Sequence, residues 1–322
     1  MPGTEETISA PFEMPIAVVQ AQAHLSEPLE LPAHPGASLA TTLRGCYETA
    51  LLRLGCALAA GPRCCDRTPA STPGGVICAD PSVCPIPILY KPRSQAQRRD
   101  HASPIGLWAR QTNERLVDLR VVLWGRRALA ARQLAFEALA AAGRAGLWNG
   151  RTSVLFDLTY RSVFEGTLGA WAARSGPHAM AAGRVLVELA SPCQGDDAQL
   201  APLLGNLAHD LVQWDLEDRG RSAELGKRGC DALADEARRQ AEASLRGVIV
   251  DVRALGAEAR GLRQSRSNRG SFRLHGVSGC VELSGDLALA WPWLAALALR
   301  GAGQKRSFGL GEVRLWIPAS EE

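Results

Sequence analysis

The feature that most constrains the fold lies near the C-terminal end of the sequence. An apolar stretch, LALAWPWLAALALR (287–300), is followed by a glycine-rich segment, GAGQKRSFGLG (301–311), and then by an alternating stretch, EVRLW (312–316). The apolar stretch is typical of a buried helix and the alternating one of a strand. The fold must therefore place a glycine-rich connection between a buried helix and the last strand.

The four glycines of this segment can adopt positive φ and let the backbone approach a ligand closely. Consecutive backbone amides can then point into one concave pocket that favours an anion. The glycines concerned are Gly301, Gly303, Gly309 and Gly311, and the side chains predicted to line the pocket are those of Gln304, Lys305, Arg306 and Ser307.

A phosphate suits such a pocket, and the order of elements separates a nucleotide from a nucleic-acid backbone. A nucleotide-binding P-loop has the pattern GxxxxGK[ST] between a strand and a helix. Here the glycines follow a helix and precede a strand, and Lys305 is followed by Arg306. We therefore predict that the pocket binds the phosphate backbone of a polyanion, RNA, rather than ATP.

Hydrophobic periodicity predicts an α+β fold of two tandem ferredoxin-like (RRM-like, βαββαβ) domains, with the glycine-rich loop in the second. Each half of the chain shows strands alternating with helices. Strands are predicted at 14–25, 116–125, 152–162, 184–190, 247–255, 272–283 and 312–316, and helices at 37–59, 128–143, within 198–245 and at 287–300.

A stretch with glycine and proline, RSGPHAMAAG (174–183), predicts a break between the two halves. The predicted domains are residues 1–175 and 176–322. The first holds a cysteine-rich insertion at about 56–95, and the second holds an arginine-rich region at 219–273.

The sequence predicts a cytoplasmic protein without a membrane segment. The first residues, MPGTEETISAPFEMP, are acidic and lack the charged and apolar regions of a secretory signal. The longest apolar run, 287–299, is too short to span a bilayer and suits a buried helix.

Positive charge is concentrated in one region of the sequence. Between residues 219 and 273 there are 13 Lys and Arg against 7 Asp and Glu, whereas the whole chain has a net charge of only +3. We predict that the stretch RGLRQSRSNRGSFR (260–273) holds RNA phosphates, and a solvated surface loop is the alternative. The predicted contacts are Arg260, Arg263, Arg266 and Arg269.

Five of the nine cysteines crowd into a proline- and glycine-rich stretch that needs a clamp to be ordered. Four thiolates match the ligand number of tetrahedral zinc, although the spacing is not that of paired CxxC motifs. A structural zinc and free thiols in a reducing compartment are the two readings. The predicted zinc ligands are Cys56, Cys64 (or its neighbour Cys65), Cys78 and Cys84.

Two stretches resemble one protein family. The segment 276–316, with its SFGLG motif, is similar to the C-terminal end of the CRISPR repeat-processing endoribonucleases of the RAMP superfamily, and LRGCYETALLRLGC (43–56) is similar to their first helix. The resemblance implies cleavage of precursor CRISPR RNA without a catalytic cofactor: the 2′-hydroxyl attacks the adjacent phosphate, leaving a 2′,3′-cyclic phosphate and a 5′-hydroxyl. It also implies a stem-loop RNA and other CRISPR effector subunits as partners.

The resemblance further implies a catalytic histidine or tyrosine just before the first helix, where His34 lies. Histidine suits proton transfer near neutral pH, and a solvated loop residue is the alternative. Arg44 and Tyr47 on the first helix are the next candidates, since an arginine can stabilise the phosphorane. Alternatively, Arg44 pairs with Glu48 and Tyr47 lies in the core.

Two other functions stay open at this point. A non-catalytic RAMP subunit that only binds guide RNA would carry the same glycine-rich loop. A metal-clamped scaffold unrelated to RNA would show no affinity for structured RNA and little salt dependence.

Overall fold

The structure, a computed structural model, describes residues 10–30, 39–58, 105–149, 151–193, 199–264, 271–302 and 311–318. These residues form a mixture of helices and strands, which confirms the α+β class. The chain divides into two compact units. The first unit is Ala17–Phe164, and the second is Glu165–Glu322 together with Met1–Ile16.

The main sheet of the first unit has the strand order β2-β3-β1-β6, and helices cover one of its faces. A two-stranded ribbon, β4 and β5, precedes its last strand. The elements are β1 (Pro15–Leu25), α1 (Leu39–Leu58), β2 (Ile105–Asn113), β3 (Leu116–Trp124), α2 (Gly125–Ala130), α3 (Arg132–Ala145), β4 (Leu147–Trp148), β5 (Ser153–Val154) and β6 (Phe156–Thr167).

Alternation along the strands and helical spacing build the core of the first unit. Ala21 and Ala23 of β1 face the same buried cluster as Leu43, Tyr47 and Leu51, which follow one another at four-residue spacing on α1. Side chains of β1 between the core residues point to the opposite face of the sheet. Part of this opposite face is buried, including Ile16, Val18 and Trp124, whereas Gln20, Arg110 and Asp118 on it are exposed. We call the exposed part of the opposite face the open face.

The second unit has the strand order β10-β7-β9-β8, and its three described strand pairs are all antiparallel. The elements are α4 (Leu168–Ala182), β7 (Arg184–Cys193), α5 (Leu200–Asp218), α6 (Ser222–Ala243, kinked at Gly226), β8 (Ile249–Gln264), β9 (Ser271–Ser284), α7 (Trp291–Arg300) and β10 (Val313–Trp316). Numbered within its own unit, each four-stranded sheet has the order 2-3-1-4.

The prediction of a break at residues 174–183 is wrong, because the backbone of α4 stays helical through Pro177 to Ala182. Tertiary packing explains the difference. The indole nitrogen of Trp291 on α7 donates to the backbone carbonyl of Ala172 at 2.8 Å. A Cβ added at Gly176 would lie 3.3 Å from the Trp291 ring, so glycine serves close helix packing there.

Within the described ranges, every helix is either too short or too polar to cross a lipid bilayer. The apolar α7, which has 10 residues, is instead buried in the second unit.

Candidate nucleic-acid interface

The two ends of the glycine-rich segment are joined by a backbone hydrogen bond. The amide of Ala302 donates to the carbonyl of Gly311 at 2.7 Å, and the amide of Gly301 caps α7 by donating to Leu297 at 2.7 Å. We call Gly301, Ala302 and Gly311 the neck. The chain therefore leaves and re-enters the neck at one place, as a closed loop requires.

Glycine is required at the end of the neck for a steric reason. Gly311 has φ +74, and a Cβ added there would lie 1.8 Å from the carbonyl oxygen of Ala302. Ala302 is buried, so this carbonyl has little room to move. Gly301 also has positive φ, at 80. The two glycines that were predicted from the motif and lie in the described ranges thus both occupy conformations that favour glycine.

Strand β7 anchors the chain as it leaves the neck. The amide of Ala190 donates to the carbonyl of Glu312 at 2.8 Å, and the amide of Glu312 donates to the hydroxyl of Ser191 at 2.8 Å. Ser191 is only 4% exposed, so its hydroxyl is a fixed acceptor. These bonds hold the exit of the glycine-rich segment against the end of β7.

A buried cation lies at the entry to the neck. Arg300, the last residue of α7, is 4% exposed. Its Nη2 lies 3.0 Å from Oδ2 of Asp210, and its guanidinium lies 5.0 Å from the centroid of the Trp214 ring. Both partners lie on α5, so this contact fixes the end of α7 against a second helix.

Strands β8 and β9 form a long hairpin whose far end extends past β7. The register of β7 with β9 reaches Val277, opposite Cys193, whereas β8 and β9 stay paired as far as Gln264 and Ser271. At roughly 3.3 Å per residue, the hairpin extends about 20 Å beyond Val277. The arginine-rich stretch is thus carried on a paired hairpin over much of its length.

The neck and the base of this hairpin lie at the same end of the second sheet. The end of β7 is held by Glu312 on one side and by β9, through the Cys193–Val277 pair, on the other. Strands β10 and β9 lie on either side of β7, so they are two strand spacings, or about 10 Å, apart. The fold therefore brings together the bases of two stretches that lie far apart in sequence and that were both predicted to contact RNA.

Most of the residues predicted to contact RNA lie outside the described ranges. This holds for Gly303, Gln304, Lys305, Arg306, Ser307, Gly309, Arg266 and Arg269. The backbones of Arg260 and Arg263 lie in β8, in the part of the hairpin beyond β7, but their side chains are not among those described. Their contacts with RNA stay predictions.

The three predicted catalytic residues differ in what the structure says of them. His34 lies outside the described residues. Arg44 lies on α1, where its Nε contacts Oε1 of Glu48 at 2.5 Å. Tyr47 is 3% exposed and belongs to the core of the first unit. The local geometry of Arg44 and Tyr47 thus matches the structural alternative, while their roles in chemistry stay predictions.

The hydroxyl of Tyr47 is buried and has no hydrogen-bond partner within the part of the chain that the structure describes. Burial raises its pKa above the ordinary tyrosine range, with opposing effects from the charges of Arg44 and Glu48. At neutral pH the phenol is therefore protonated. In this state it can donate a proton or a hydrogen bond, but it cannot serve as a base.

The predicted zinc site falls mostly on residues outside the described ranges. Cys64, Cys78 and Cys84 lie outside the described residues, and Cys56 lies on α1 with its side chain not among those described. Across the side chains that are described, no group of three or more His, Cys, Asp or Glu could hold a metal ion. A zinc held by the four cysteines stays a prediction.

The sequence reasoning did not find Ser191, Asp210, Trp214 or Arg300. Arg300 ends an apolar helix, and a single charge there is typical of a residue that faces solvent at a helix end. Its partners are about ninety residues earlier on another helix, so only the tertiary fold reveals them. Spacing carries no signal for contacts of this kind.

Comparison with known proteins yields structural neighbours only. No protein-family model matches the chain, and no curated protein sequence matches it. A Cas6 product complex is 16% identical, with 94% of this chain and 100% of that chain covered and a TM-score of 0.45. A second Cas6 product complex is 17% identical, with coverage of 93% and 99% and a TM-score of 0.43.

A protein from Pyrococcus furiosus described as Cas6-related is 9% identical, covers 95% of this chain and 100% of its own, and has a TM-score of 0.41. These neighbours come from the family that the motifs at 43–56 and 276–316 resemble. Over nearly its full length, the chain is similar to Cas6 and RAMP proteins.

Proposed function

We propose that this protein is a CRISPR repeat-specific endoribonuclease that cleaves precursor CRISPR RNA and stays bound to the mature guide RNA in an effector complex. The observation that carries the proposal is the closed neck of the glycine-rich segment beside the base of the β8–β9 hairpin. A phosphate-binding loop and an arginine-bearing hairpin at one end of one sheet suit a structured RNA.

We also infer that each unit is a ferredoxin-like domain. The strand order 2-3-1-4 with βαββαβ connectivity supports this reading in both units. In the second unit, the helical connection between the first two strands is doubled, as α5 and α6. Strands β4 and β5 and the short α2 are additions to the first unit.

The proposed reaction is attack by the ribose 2′-hydroxyl on the adjacent phosphate, with departure of the 5′-oxygen. The products are a 2′,3′-cyclic phosphate and a 5′-hydroxyl, so no water and no redox partner are consumed. Bound RNA supplies the in-line geometry, and His34 takes the proton of the 2′-hydroxyl. The departing 5′-oxygen gains a proton from solvent, so the proton count balances, and Arg44 or Lys305 stabilises the added negative charge.

A second candidate function is a non-catalytic RAMP subunit that binds guide RNA without cutting it. The observation that favours it is the state of the first helix. Arg44 is already paired with Glu48, and Tyr47 is buried in the core. Both groups thus have structural roles that need no substrate. Only cleavage itself separates this candidate from the endoribonuclease.

Cleavage tests the proposal. Purified protein is incubated in EDTA with RNA copies of hairpin-forming CRISPR repeats, and the products are sized and weighed by mass spectrometry. We expect one cut and a cyclic-phosphate end. Single-turnover rates should fall by about 10²–10⁴ for His34→Ala and about 10²–10³ for Arg44→Ala.

Glu48→Ala provides the matched control for Arg44. If Arg44 acts only through its ion pair with Glu48, both variants should lose the same activity. If Arg44 acts on the phosphate, Glu48→Ala should retain cleavage. Tight binding of the repeat without any cut by the wild-type protein would reject the enzyme and leave the RNA-binding subunit.

A further inference from the structure

A row of polar side chains crosses the open face of the first sheet. Arg161 on β6 donates to Oε1 of Gln22 on β1, and Nε2 of Gln22 donates to Oδ1 of Asp118 on β3 at 2.9 Å. Arg110 on β2 is the register partner of Asp118. The row therefore runs across all four strands, with an arginine at each end.

The amide at the centre of the row is a rigid anchor. Gln22 is 8% exposed, although it is polar. Its carbonyl oxygen accepts from Arg161 and its nitrogen donates to Asp118, so both ends of the amide are satisfied. A buried side chain bonded at both ends holds the Arg161 guanidinium in a fixed place.

Both arginines of the row keep their charge available. Arg161 is bonded to a neutral amide rather than to a carboxylate. Arg110 is exposed and, within the described part of the chain, forms no ion pair. The single carboxylate of the row, Asp118, accepts from Gln22. An external anion can therefore bind these two cations without displacing an internal partner.

A second polar contact beside the row leaves a hydrogen-bond donor facing outward. The hydroxyl of Ser162 donates to Oε1 of Gln20 at 2.8 Å, and both residues are exposed. The amide nitrogen of Gln20 donates to no residue that the structure describes. An amide held in this orientation presents two N–H groups to a ligand with acceptor atoms, such as the edge of a base.

Two arginines on the strands of the second sheet are held by carboxylates. Arg253 on β8 contacts Asp251 at 3.1 Å and Glu282 at 2.9 Å. Arg314 on β10 contacts Glu312 at 2.9 Å and Glu188 at 3.8 Å. Each of these two arginines is balanced by carboxylates, so these two positions offer little attraction to a polyanion.

We propose that the open face of the first sheet binds an unpaired segment of the RNA, with phosphates at Arg110 and Arg161 and a base edge at Gln20. This inference rests on the proposed function, because it assumes that the protein binds RNA. A flat sheet presents side chains to splayed nucleotides, whereas a duplex presents its phosphates on a curved surface. The chemistry of the row therefore favours a single strand.

Two probes and one double variant test the inference. The probes are a fluorescent RNA hairpin with a single-stranded extension and the same hairpin without it. Arg110→Ala/Arg161→Ala should lower affinity for the extended hairpin about tenfold and reduce the slope of log K against log salt by about 1.4, at about 0.7 per single-strand phosphate. Affinity for the bare hairpin should not change.

Arg253→Ala/Arg314→Ala is the matched control, since it removes two arginines that carboxylates already balance. It should leave both affinities unchanged. Equal losses on both probes, or an extension that adds no affinity to the wild type, would overturn the inference while the proposed function stands. If the wild type binds neither hairpin, the proposed function fails and the inference fails with it.

Discussion

Gly311→Ala is expected to lower affinity for repeat RNA at least about tenfold, because alanine at this position cannot keep the neck closed. Its Cβ would lie 1.8 Å from the carbonyl oxygen of Ala302, a backbone atom of a buried residue. The positive φ adds strain of about 1–2 kcal/mol. Chemical denaturation should show a loss of about 2–4 kcal/mol in the free energy of unfolding.

Gly220→Ala separates the steric effect from the backbone effect. Gly220 has the same φ, +74, but a Cβ added there has nothing within 4 Å. Its variant should lose only the strain of about 1–2 kcal/mol and keep its affinity for RNA. If the two variants lose stability and affinity equally, the close approach of Gly311 to Ala302 has no special role.

Asp210→Ala should reduce the free energy of unfolding by about 2–3 kcal/mol. Removing one partner from a buried ion pair costs about 3–5 kcal/mol, because the remaining charge is left without compensation. The side chain of Arg300 is 3% exposed but that of Asp210 is 29% exposed, so water compensates in part. Denaturant unfolding at neutral pH measures the loss.

An exposed ion pair on α6 provides the comparison. Glu236 contacts Arg239 at 2.5 Å, which is closer than the contact of Asp210 with Arg300, but both partners are exposed. Glu236→Ala should leave the unfolding midpoint nearly unchanged because solvent screens such pairs. A loss equal to that of Asp210→Ala would show that burial of Arg300 contributes nothing to the effect.

Local periodicity predicted much of the fold. The strand predicted at 14–25 corresponds to β1, and the helix predicted at 37–59 corresponds to α1. In both, the alternation or spacing of apolar residues extends over the whole element, since one face is buried throughout. The hairpin strands are longer than predicted, because pairing between β8 and β9 continues where apolar alternation has ended.

Strand β2 was not predicted, and the reason is visible in its burial. Ile105, Leu107 and Trp108 are buried, but from Arg110 onward the strand is polar and exposed. Its apolar pattern is therefore too short to stand out beside the preceding cysteine- and proline-rich stretch. The continuation of α4 through Pro177 was missed for the opposite reason. The sequence carries a local signal for a break there, but packing against Trp291 overrides it.

Part of the candidate site could likewise be predicted from the sequence, and part could not. The motif SFGLG pointed to Gly311, because the conformation of one backbone position leaves a mark in the sequence. The row from Arg161 to Arg110 leaves none, because its members come from four strands that only the fold makes neighbours. Contacts between distant side chains, like that of Arg300 with Asp210, need the structure.

The most direct test of the central claim is the affinity of Lys305→Ala/Arg306→Ala for the repeat hairpin, measured over a range of salt concentrations. The control is Lys227→Ala/Arg228→Ala, which removes another Lys-Arg pair that is exposed on α6. If the loop grips RNA phosphates, the first variant should bind about 10–100-fold more weakly and with a salt slope smaller by roughly 1.4–1.8. Wild-type affinity and slope in that variant would contradict the account.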